Sequence, residues 1–103
     1  MKNSRGFEVQ YFKDDYGTDC SIQDSSIDTP HIWLGVHEPE HLIMWKDAEK
    51  YGIKIYQKCG WYSYPIPEEV LVKSRMHLNQ KQARELAHKL LYFAEMGHLE
   101  EEQ

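Results

Sequence analysis

The sequence predicts a small α+β fold: an antiparallel sheet of about five strands with one C-terminal helix packed on one of its faces. Three observations carry this expectation. Apolar residues recur at three- and four-residue spacing over the stretch Gln80–Met96. The segments upstream alternate with period two and are rich in aromatic and β-branched residues. Clusters of turn-forming residues separate those segments at short intervals. A chain of 103 residues is the length of one domain, so residues 1–103 are expected to form a single α+β domain.

The strands are expected at residues 7–12, 20–23, 31–36, 53–57 and 69–78, with 41–45 forming either a further short strand or a helical turn. The turns between them are Asp14-Asp15-Tyr16-Gly17, Asp24-Ser25-Ser26, Glu38-Pro39-Glu40, Tyr51-Gly52 and Cys59-Gly60. Short strands in sequential order favour hairpin links over crossovers, hence an antiparallel sheet. The helix is marked at both ends. Asn79 is a suitable N-cap, Gln82 can complete a capping box, and Gly97 can end the helix in a left-handed turn. Between them Ala83, Leu86, Ala87, Leu90 and Ala94 form an apolar stripe that Leu91 and Phe93 widen.

Alternation sorts the strand residues by face. One face takes Cys20, Ile22, Ile32, Leu34, Val36, Val70, Val72, Met76 and Leu78 and is expected to lie under the helix. The other takes Ser21, Gln23, His31, Trp33, Lys73, Arg75 and His77 and is left to solvent or to a partner.

Composition excludes several classes. Hydrophobic residues make up 41% of the chain and charged residues 28%, the balance of a folded globular protein. A net charge of −5 with scattered Lys and Arg argues against general nucleic-acid binding. No apolar run approaches the roughly 20 residues that cross a bilayer, and the polar start lacks a signal peptide's apolar stretch, so a cytoplasmic location is expected. In that reducing compartment Cys20 and Cys59 are read as buried thiols, not a disulfide.

The segment His37-Glu38-Pro39-Glu40-His41 matches the zinc-protease pattern H-E-x-x-H. That pattern works only when a helix brings both histidines to one face, and Pro39 forbids such a helix. It reads instead as a polar turn. No nucleophile elbow or phosphate-cradling loop is present, and nothing calls for a cofactor. Two binding candidates remain. One is the segment 61–67, where Trp61, Tyr62 and Tyr64 accompany two prolines. The other is the polar sheet face with Gln23, Trp33, Lys73, Arg75 and His77, where an indole beside a guanidinium and an amide suits stacking and anion pairing.

Tyr16-Gly17, Cys20-Ser21-Ile22-Gln23-Asp24-Ser25-Ser26, Ile32-Trp33-Leu34-Gly35 and Ser74-Arg75-Met76-His77-Leu78, in this order and leading into Gln82, resemble a family of small bacteriophage- and prophage-encoded proteins with no assigned activity. The likeness runs from Phe12 to about Leu99, and the stretch 48–67 departs from it by being longer and more aromatic. The resemblance implies a phage or prophage origin, residence in the host bacterial cytoplasm, and action by stoichiometric binding to a host protein such as a defence component. A second reading is sequestration of a nucleotide, stacked on Trp33 or Trp61 with its phosphate on Arg75 or Lys73. A third, less favoured, is a metal-dependent enzyme using His37 and His41. Unpaired edge strands leave homodimer formation open.

Overall fold

In the computed structural model, which describes residues 1–102, the fold is α+β with antiparallel pairing throughout. Its elements are β1 (Val9–Lys13), β2 (Asp19–Asp24), β3 (His31–Val36), β4 (Leu42–Met44), the short helix α1 (Trp45–Ala48) continued by a 3₁₀ turn (Glu49–Tyr51), β5 (Trp61–Ser63), β6 (Arg75–Asn79) and α2 (Gln80–Met96). They fall into two compact units. One comprises Met1–His37 and the chain from Arg75 onward; the other is Glu38–Ser74, inserted between β3 and β6.

The first unit is a four-stranded sheet in the order β1-β2-β3-β6, followed by α2. Its hairpins arise from local chemistry. Between β1 and β2 the Asp14 carboxylate accepts hydrogen bonds from the amides of Tyr16 and Thr18, both at 2.9 Å, and Gly17 supplies the positive φ of 83° that closes the turn. Register follows the expected alternation: Gln23 faces Trp33, which faces His77, while Ile22 faces Leu34, which faces Met76. The division into a polar and an apolar face is therefore as the sequence predicts over β2, β3 and β6. Lys73, Val70 and Val72 are exceptions, because β6 starts only at Arg75 and these three residues lie outside it.

Helix α2 has the predicted bounds and ends. The Asn79 side chain accepts from the Gln82 amide at 2.8 Å, the Gln82 side chain accepts from the Asn79 amide at 3.1 Å, and Gly97 closes the C-terminus with φ 79°. Packing differs from the expectation of a lid. No residue of α2 is buried, and β6 is its principal contact. The cause is local: Asn79 is at once the last residue of β6 and the cap of α2, so no loop intervenes to turn the helix back over the sheet.

The second unit is built on the hairpin pair β4-β5, with Ile43 opposite Tyr62. The 41–45 region is both of the alternatives read from sequence, a strand and then a helical turn. Residues 53–57, expected as a strand, are not one. Their half-buried and exposed positions do alternate from Ile53 to Tyr56, but the amides of Tyr56 and Gln57 are taken by the Tyr62 hydroxyl, at 3.2 and 3.0 Å, instead of by a neighbouring strand. That hydroxyl in turn donates to the Gln57 carbonyl at 2.8 Å. Ala48 and Tyr62 are the buried apolar side chains of this unit among the described residues.

Two outcomes test these assignments. Asn79→Ala should remove the cap and cost about 1 kcal/mol, read by thermal or urea unfolding. Tyr62→Phe strands two backbone amides and a carbonyl. It should destabilise the insert by about 1–3 kcal/mol and speed amide exchange at Tyr56 and Gln57.

Candidate functional site

The polar face of the four-stranded sheet carries the most organised cluster of side chains in the chain. β3 places Trp33 between Gln23 of β2 and His77 of β6. The Trp33 and His77 rings stack with centroids 4.1 Å apart and planes 29° apart, and His31 extends the stack from His77 at 4.7 Å and 20°. The Arg75 guanidinium lies 5.6 Å from the Trp33 ring centroid, a cation–π contact. It also donates a hydrogen bond from Nη1 to Gln23 Oε1 at 3.0 Å. Reaching Gln23 takes Arg75 across β3, and Gly35, the residue opposite Arg75, puts no side chain in its way.

The stack is tied at its margins. His77 Nε2 and Ser25 Oγ share a hydrogen bond of 2.9 Å, and His31 Nδ1 lies 3.1 Å from both the hydroxyl and the carbonyl oxygen of Thr29. Further along the same face, Ser21 is fully buried, with its hydroxyl 3.3 Å from His37 Nδ1, and the His37 ring meets Tyr11 edge-on at 4.9 Å. At the rim Lys13 donates to Asp19 at 2.7 Å. This bond and the accompanying charge attraction hold the Asp19 carboxyl below the ordinary carboxylate range and raise the Lys13 ammonium above its own, with His37 adding a smaller lowering on Asp19.

Of the residues predicted from sequence, the fold therefore assembles Gln23, Trp33, Arg75 and His77. Lys73 is not part of this face. It precedes β6 and belongs to the inserted unit, as do Trp61, Tyr62 and Tyr64. Within that unit Trp61 is 61% exposed, whereas Tyr62 is buried and holds the 56–57 backbone. Tyr64 is half-buried against Tyr51, edge to face.

Ser25 and Thr29 of the cluster were not singled out as binding residues from sequence, and His31 and His37 were named only as a residue of the polar face and as part of the H-E-x-x-H pattern, not for the contacts they make here. Their roles depend on the β2–β3 loop and on cross-strand neighbours, which local pattern does not reveal. The same loop, with Phe7, Leu78 and Ala83, also forms an open cleft of about 490 Å³.

Residues 37–41 form no helix, so the geometry that the H-E-x-x-H pattern requires is not built. Among the described residues no group of three or more His, Cys, Asp or Glu side chains is arranged to hold a metal ion. Both cysteines are free thiols, but only Cys20 is buried as expected; Cys59, in the turn Cys59-Gly60, is exposed. No helix among the described residues is long and apolar enough to cross a membrane.

The rim pair gives a pH test. Because the folded-state pKa of Asp19 is depressed, its stabilising contribution is complete above the unfolded carboxylate range and is lost as pH falls through the folded value. Carboxyl-detected NMR should place the Asp19 midpoint below that of an ordinary aspartate, and Lys13→Ala should return it upward. An unchanged midpoint in the variant would show that Lys13 is not the cause.

No protein-family model matches this chain, and neither a curated protein nor a solved structure does so.

Proposed function

We propose that this chain is a non-enzymatic binding protein of phage or prophage origin whose polar sheet face docks on a host protein in the bacterial cytoplasm, with a defence component as the class of target. The observation that supports this reading most directly is the stack His31–His77–Trp33 with Arg75 against it, fixed by hydrogen bonds to Gln23, Ser25 and Thr29. Tryptophan and arginine dominate the energetics of protein interfaces. Side chains already held in one arrangement lose little further entropy when a partner arrives.

The same arrangement favours a protein over a nucleotide. A base would have to stack on Trp33, yet that ring is already engaged by His77 at 4.1 Å and by the Arg75 guanidinium at 5.6 Å. Arg75 is committed to Gln23 as well, which leaves it a poor phosphate clamp. The exposed Trp61 of the inserted unit offers a separate contact surface.

Co-purification from an infected or lysogenic host, with wild type beside Trp33→Ala, Arg75→Ala and Trp61→Ala, tests the proposal. Arg75→Ala should weaken capture at least tenfold, about 1.4 kcal/mol, while the melting temperature changes little. Undiminished capture by both sheet-face variants, with loss in Trp61→Ala, would move the interface to the insert. In a thermal-shift screen, a nucleotide held at 100 times its dissociation constant would add about 2.7 kcal/mol of stability. Such a shift, abolished by Trp33→Ala, would replace the protein partner with a small ligand.

A further inference from the structure

The apolar surfaces of the first unit are open. On the sheet's apolar face Ile22, Ile32, Leu34 and Leu78 are only half-buried, and Phe12 and Met76 are about half exposed. On α2 the stripe is similarly uncovered: Leu90 is 57% exposed, Leu91 58% and Phe93 51%. Only its start is anchored, where Ala83 and Leu86 are half-buried and Ala83 shares a cleft with Ile32 and Leu78. The polar side of the helix is occupied by the chain's own tail, through His88 to Glu100 and Lys89 to Glu102, each at 3.5 Å. The tail thus leaves the apolar side free.

The exposed area is larger than a monomer of this size carries. The chain exposes 8972 Å². A globular monomer of 12.3 kDa exposes about 6,100 Å² by the usual scaling with mass. Two separate globular bodies with the lengths of the two units would expose about 7,300 Å² together, so an excess of about 1,700 Å² remains even when the units are counted separately. Obligate homodimers bury roughly 1,000–2,500 Å² on each subunit, which matches that excess.

We propose that a second copy of this chain covers both surfaces: α2 of each copy seats its Ala87–Leu90–Phe93–Ala94 side on the apolar sheet face of the other. One chain carries both halves of the contact, a convex apolar helix and a flat apolar sheet, so a two-fold axis satisfies both at once. The direct β6–α2 junction explains why the contact is made between copies. With Asn79 as both strand end and cap, the helix cannot reverse over its own sheet, and a short connection of this kind favours exchange of a terminal element between protomers. Length fits too. A helix of 17 residues is about 25 Å long, and four strands span about 15 Å. The polar face that carries Trp33 and Arg75 stays outside this contact, so the dimer stands independently of the function proposed above.

Light scattering during size exclusion of the full chain at micromolar concentration should give twice the 12.3 kDa chain mass. A mass of one chain overturns the proposal, as does a trimer or an open polymer. A photo-reactive benzoylphenylalanine at Phe93 should then crosslink the two copies, with the attachment mapped by mass spectrometry to β2, β3 or β6. Attachment to α2 of the other copy would mean helix–helix pairing and would overturn the seating on the sheet. Leu90→Glu combined with Phe93→Glu should halve the mass; a double variant that still forms the dimer overturns the role of the stripe.

Discussion

Everything built on the first unit depends on the register of β3, which is paired on both sides. Trp33 is opposite Gln23 on one flank and His77 on the other. Because side chains alternate with a period of two, a slip of one residue against either neighbour would send Trp33 to the apolar side and bring Ile32 or Leu34 to the polar one. Such a slip would break the ring stack and the Arg75–Gln23 bond together. The register is enforced by the contrast between the faces, since on one side Cys20 meets Val36, Ile22 meets Leu34, which meets Met76, and Ile32 meets Leu78, with Asp24 opposite Ile32 as the exception at the end of β2. The stack on the other side is a consequence of that sorting.

The second constraint is the junction at Asn79. A capping box stabilises the start of α2 within the sequence itself, and it does so by using the last residue of a strand. That economy fixes the direction in which the helix leaves the sheet. No loop residues stand between the strand and the helix to turn it back over the sheet. Without them, Leu90, Leu91 and Phe93 are presented outward. The cap, the open stripe and the open sheet face are therefore one structural fact, and the proposed exchange between copies follows from it.

Legibility in the sequence was uneven, for physical reasons. The limits of α2 were legible because both ends are set by contacts within four residues, the Asn79–Gln82 box and the Gly97 turn. β3 was legible because its alternation is supported by a turn on each side. The 53–57 segment misled because alternation reports which side chains are covered, not what pairs with the backbone; here a tyrosine hydroxyl does that work. β5 escaped notice because three residues are too few to establish a period. The expected strand 69–78 was too long because β6 begins only at Arg75, and alternation before that point does not mark strand pairing. Lys73 fell out of the candidate site for that reason alone.

The sequence by itself determined which residues share a face, where the C-terminal helix begins and ends, and that Gln23, Trp33, Arg75 and His77 would meet on one side of a sheet, because these depend on short-range periodicity and caps. Tertiary structure alone decided that the Trp33 ring is engaged by its neighbours, that Tyr62 serves the backbone of the insert, and that α2 leaves its stripe open. Those outcomes depend on distances between residues far apart in the chain, and on a junction whose direction no local preference specifies.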